Sequence, residues 1–137
     1  MANVDSTTTS DARAVPPLYS ALIGITSLLV LLQGLWAGLF LQHDGKRDDA
    51  TTWTTLHNIG GSVSVVVALV ATVVAFRQLG HRADLRNATA ALLVLLVAEV
   101  GLGQAIGSAD WLTVIHVPLA LFIMGLCVWL PLRARTP

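Results

Sequence analysis

Two histidines stand at matching places in this chain: His57 closes WTTLH (53–57) and His116 closes WLTVIH (111–116), four and five residues after a tryptophan. An imidazole inside an apolar run is a candidate metal ligand, a proton carrier or a hydrogen-bonding group between helices. At ~1.5 Å of rise per residue the two rings share nearly one depth below their tryptophans. Two imidazoles at one level on facing helices can take both axial positions of a haem iron. A zinc site fits less well, because two histidines leave a tetrahedral ion short of protein ligands.

The elements that must position these rings are helices that cross a bilayer. Of 137 residues 55% are hydrophobic and 12% charged, and the mean hydropathy is +0.73, too apolar for a soluble domain of this length. Four apolar runs, 18–41, 56–76, 88–107 and 111–132, each approach the ~20 residues that span a membrane core. The expected fold is therefore an all-α membrane protein, a four-helix transmembrane bundle. Residues 1–17 lack the basic start and short apolar core of a cleaved signal and read as a disordered tail. Residues 18–132 form the transmembrane domain, and 133–137 a C-terminal tail.

Six of the eight basic residues, Arg13, Arg77, Arg82, Arg86, Arg133 and Arg135, fall on one side of these helices; Lys46 and Arg47 fall on the other, beside Asp44, Asp48 and Asp49. Positive residues stay on the cytoplasmic side, which predicts a multi-pass cell-membrane protein with both termini cytoplasmic. Trp36, Trp53 and Trp111 then lie near the outer interface and Trp129 near the inner one. The Arg77, Arg82 and Arg86 cluster reads as topology and anionic lipid headgroups, not nucleic acid.

LLVLL recurs at 28–32 and 92–96, and a Trp with a following His opens each even-numbered helix. The chain reads as two hairpin repeats related by an axis along the membrane normal. From His57 the helical face runs through Gly60, Gly61, Ser64, Ala68 and Ala75, opposite Val66, Leu69, Val70 and Val73. Small residues mark helix contacts in lipid, so His57 is expected to point into the bundle. Gly34 with Gly38 and Gly103 with Gly107 repeat the small-residue spacing on helices 1 and 3. Such glycines serve tight helix packing; beside two facing histidines they also suit a flat macrocycle.

The His-bearing second and fourth helices, the hairpin repeat and the segment GLGQAIGSADWLTVIHVPLALFIMGLCVWL (101–130) resemble one half of haem A synthase, whose eight helices form two four-helix bundles with a histidine pair each. The resemblance covers about residues 18–132 and implies that His57 and His116 are axial ligands of one haem b. The chain departs from that family at Thr55, where the oxidising half has a glutamate, and at Asn58, where an arginine is frequent. It also lacks a cysteine pair in the outer loop and carries one four-helix unit. What the resemblance implies is thus the haem-holding architecture and not haem hydroxylation.

The lone Cys127 excludes an intrachain disulfide and a cysteine metal site, and the absence of C-x-x-C-H excludes covalently attached haem. Glu99, mid-membrane on helix 3, marks a function by default; it reads as a carboxyl packed on Gln33, as a proton site, or as a group tuning a haem edge. His43 and His81 read as solvated loop residues, and Lys46 and Arg47 as a solvated loop that could also meet haem propionates. The sequence therefore points to a small b-type cytochrome for electron transfer or haem handling, with cofactor-binding residues His57, His116, Gly60, Gly61, Gly34, Gly38 and Gly103. Such a protein is an electron carrier more than an enzyme. One haem near the outer face cannot carry electrons across the bilayer alone and calls for a redox partner or larger complex on that side, with a homodimer compatible. The competing classes are a cofactor-free accessory subunit and a small proton-coupled transporter using Glu99.

Overall fold

The computed structural model describes residues 14–42 and 47–136, and only the backbone of 47–50. The expected tail up to Arg13, together with His43 and Lys46, lies outside the described residues. Helix α1 spans Pro17–Gln42, α2 Arg47–Gln78, α3 Ala83–Ala105 and α4 Thr113–Ala134, with two short 3-10 turns, Ile106–Ser108 and Asp110–Leu112, between α3 and α4. All four helices are long and apolar enough to cross a membrane, and no strand occurs among the described residues. Each helix packs on its sequence neighbour and α1 closes on α4. The result is a four-helix bundle in which α2 and α4 lie on one diagonal.

The start of α2 differs from the expected outer loop. Residues 47–55 are helical, because no glycine or proline interrupts the chain between Gly45 and Gly60 and nothing local stops a polar helix from extending the apolar one. His57 therefore lies three turns into its helix, whereas His116 lies one turn into α4.

One spacing organises the interior. Tyr19, Ile23, Thr26 and Val30 on α1, Ser64, Ala68, Ala71 and Ala75 on α2, Leu85, Thr89, Leu92 and Leu96 on α3, and Ile123, Cys127 and Leu130 on α4 are all buried. Their steps alternate four and three, the 3.5-residue seam of helices that interlock side by side. Aliphatic side chains pointing away from it, such as Val66, Leu69, Val94 and Leu121, are exposed, as lipid-facing residues should be.

All of these buried seam residues lie in the half that carries both termini and the α2–α3 turn. Hydroxyls knit that half. Tyr19 Oη meets Thr89 Oγ1 at 2.7 Å across the α1–α3 diagonal, and Ser27 Oγ donates to the Cys127 carbonyl at 2.8 Å. At its edge Arg82 grips Asp84 through two bonds of 3.1 Å and donates to the carbonyls of Arg133 and Thr136 at 3.1 and 2.9 Å. Arg133 returns to Asp84 at 2.8 Å. The turn between the hairpins is thereby tied to the last turn of α4.

Candidate functional site

In the opposite half the same seam continues, but its residue types change. The four-three spacing runs on through Gln33, Ala37 and Phe40 on α1, Gly61 and His57 on α2, Glu99 and Gly103 on α3 with Ile106 in the 3-10 turn that follows, and Ala120 and His116 on α4. Every one of these is half-buried, and among the described residues Gly60 is the one fully buried position of that half. Where the first half places Leu and Ala at the bundle axis, this half places two imidazoles, an amide, a carboxyl and glycines.

The first hairpin holds His57. Its Nδ1 lies 3.1 Å from the backbone carbonyl oxygen of Gln33 on α1, and the Phe40 ring meets it edge-on with centroids 5.5 Å apart. A carbonyl only accepts, so this bond requires the proton on Nδ1 and leaves the lone pair on Nε2. The Gln33 amide is satisfied with its nitrogen turned to α2, 2.6 Å from the His57 carbonyl oxygen, and its oxygen 3.2 Å from the Gly61 amide nitrogen. The Gln33 side-chain nitrogen also stands 3.2 Å from His57 Nδ1.

The second hairpin holds His116 differently. Nδ1 is 3.0 Å from Glu99 Oε1 on α3, with the two side chains 17% and 12% exposed. The distance is that of an ion pair, but the angle falls outside hydrogen-bond geometry, so His116 Nδ1 and Glu99 Oε2 are buried polar atoms without a hydrogen-bond partner. The ring lies over Gly103, where an added Cβ would sit 3.1 Å from His116 Cε1 and 3.7 Å from Nε2. The 3-10 turns, closed by Ala109 N–H to the Ile106 carbonyl and Leu112 N–H to the Ala109 carbonyl at 3.0 Å each, bring α4 back along α3 at this register.

The two rings stand on diagonal helices, and no hydrogen bond among the described residues reaches either Nε2. The remaining expected site residues divide. Gly103 seats His116. Gly60 lies beneath the Trp36 ring and the Gln33 amide, and Gly61 faces Val100 and Gln33, so this pair packs α1 on α2. Gly34 and Gly38 have no neighbour within 4 Å of where a Cβ would stand.

Sequence reading missed both polar partners. It set Glu99 against Gln33, whereas each pairs within its own hairpin. A signal was present: Gln33 and His57 stand equally far from Gly45, and Glu99 and His116 equally far from the Gly107–Ser108 bond. Residues equidistant from the turn of an antiparallel hairpin share a depth.

Among the described residues no group of three or more His, Cys, Asp or Glu converges as a metal site, so the arrangement offers two imidazoles and not a protein cage for a bare ion. Compared with known proteins, the chain matches no family model, no curated protein and no solved structure.

Proposed function

We propose that this chain is a small b-type membrane cytochrome, holding one haem b through Nε2 of His57 and Nε2 of His116, for electron transfer or haem handling. The observation that carries the reading is the change of residue type along the seam. Histidines take the axis positions of both diagonal helices, each with Nδ1 against an oxygen of the preceding helix and Nε2 without a protein partner. Holding the far nitrogen on an oxygen is how proteins fix the tautomer of an iron-ligating histidine. A haem held there supplies a one-electron couple.

The residues suit the group unevenly. The imidazoles, the Gly103 seat and the half-buried axis positions suit a flat ring with bis-imidazole ligation. On the flank of His57 the Trp36 indole already covers Gly60, so a macrocycle and the indole compete for that space. The positive charges of the terminus half favour an outward-facing site, with a redox partner on that side. The likeness to one half of haem A synthase supports the same ligand pair.

A cofactor-free bundle is the second reading, and one contact favours it. If the Gln33 amide donates to His57 Nδ1, the proton moves to Nε2 and closes that nitrogen to iron. Absorption spectroscopy on protein expressed with ample haem separates the two. The cytochrome reading expects a sharp Soret band with the split visible bands of six-coordinate low-spin haem; a colourless protein that cannot be reconstituted overturns it.

A further inference from the structure

We infer that Glu99 is the positioning residue of His116: its carboxylate takes the Nδ1 edge of the imidazole, Gly103 takes its face, and Nε2 is the one ring nitrogen left to present. Glu99 and Gly103 are successive seam positions, four residues apart on one face of α3, so a single helix brackets the ring along an edge and a plane. Any side chain at Gly103 closes on Cε1 at 3.1 Å.

The bracket also accounts for the unpartnered atoms. Buried polar groups find partners, and Glu99 Oε1 stands 3.0 Å from His116 Nδ1. The torsions that turn an imidazole or a carboxylate about its own axis are soft. A small rotation of either group brings the contact into hydrogen-bond geometry and satisfies the orphaned nitrogen.

The consequence is an asymmetry between the two imidazoles. His57 leans on a neutral backbone carbonyl, while His116 leans on a carboxylate, which draws the Nδ1 proton harder and makes Nε2 the more electron-rich donor. That last step rests on the haem reading; the assignment of the tautomer does not.

Ring-nitrogen NMR of the histidine-labelled full chain in lipid nanodiscs, without haem, tests the tautomer. His116 should carry its proton on Nδ1 in the native protein and in Glu99→Gln, whose amide oxygen still accepts, and should lose that preference in Glu99→Leu. The His57 signals and the helical circular dichroism should not move, which separates positioning from misfolding. A His116 tautomer unchanged in Glu99→Leu overturns the proposal. In haem-loaded protein Glu99→Leu should weaken haem affinity about 10–100-fold. Glu99→Gln should keep the haem and raise its midpoint potential, because a neutral amide replaces the carboxylate. An unchanged potential in Glu99→Gln overturns the asymmetry between the two imidazoles while leaving the cytochrome reading intact. Failure of native protein to take up haem sinks that reading and leaves the tautomer result to decide the role of Glu99.

Discussion

The two halves of this bundle are cut from the same four helices and share one seam, yet they are filled differently. The terminus half closes its axis with Leu85, Leu92, Ile123 and small residues and pins it with hydroxyl bonds and the Arg82–Asp84 latch. The far half gives the axis to Gln33, His57, Glu99, Gly103 and His116, with no large side chain fully buried among the described residues. The difference teaches that helix association and chemistry are spatially separated here. In lipid, where close contact between side chains drives helix association, a half that gives up that contact depends on the other half for its stability.

Substitutions can break or sharpen this contrast. The largest effect on folding is expected in the terminus half, where Leu85→Ala leaves a cavity and should cost about 2–5 kcal/mol, measured by equilibrium unfolding in detergent–lipid mixtures. Leu121→Ala, 70% exposed toward lipid, is the control and should change stability by less than about 0.5 kcal/mol. Next is Arg82→Ala. Removing a nearly buried guanidinium that serves one carboxylate and two carbonyls should cost about 1–2 kcal/mol, set below a fully buried pair because Asp84 is 33% exposed. An effect as small as that of Leu121→Ala would show that the latch is ornamental.

The histidines sharpen the comparison in the other direction. His57→Ala and His116→Ala should each lose less than about 1 kcal/mol of haem-free stability, since an interhelical hydrogen bond in a membrane averages about 0.6 kcal/mol. The same variants should abolish low-spin haem spectra. A histidine variant that unfolds the haem-free bundle would make these residues pillars of the fold and remove the separation argued above. Apart from the lipid-facing control, the smallest change is Tyr19→Phe, which deletes one diagonal bond and should cost about 0.6 kcal/mol with no effect on any haem spectrum.

Much of this was legible from sequence because membrane helices announce themselves by length. The four spans and the inward small face of α2, from Gly60 to Ala75, follow from apolar runs and helical period, and the structure has both. The reach of α2 back to Arg47 was hidden because polar residues without Gly or Pro look the same in a loop and in a helix end. The concentration of the core in one half was hidden for the opposite reason: all four runs are apolar along their whole length, so composition alone does not locate the close packing. The four-three spacing does locate it, once followed past Val30 and Leu96 to Gln33 and Glu99. The partners of the histidines escaped a reading that measured depth from tryptophans on different helices. Measured from each hairpin's own turn, Gln33 falls beside His57 and Glu99 beside His116.

The Arg82 latch also has a consequence for biosynthesis. Its guanidinium sits in the turn that joins the two hairpins, but two of its acceptors, the carbonyls of Arg133 and Thr136, belong to the end of α4. A ribosome makes the donor some fifty residues before these acceptors. Until then Arg82 has only Asp84 and water. The terminus half therefore locks late, after the second hairpin has entered the membrane, and a nascent chain that stalls before Arg133 keeps an open end that differs chemically from the finished protein. The contact that fastens the hairpins records whether synthesis has reached the last turn of α4.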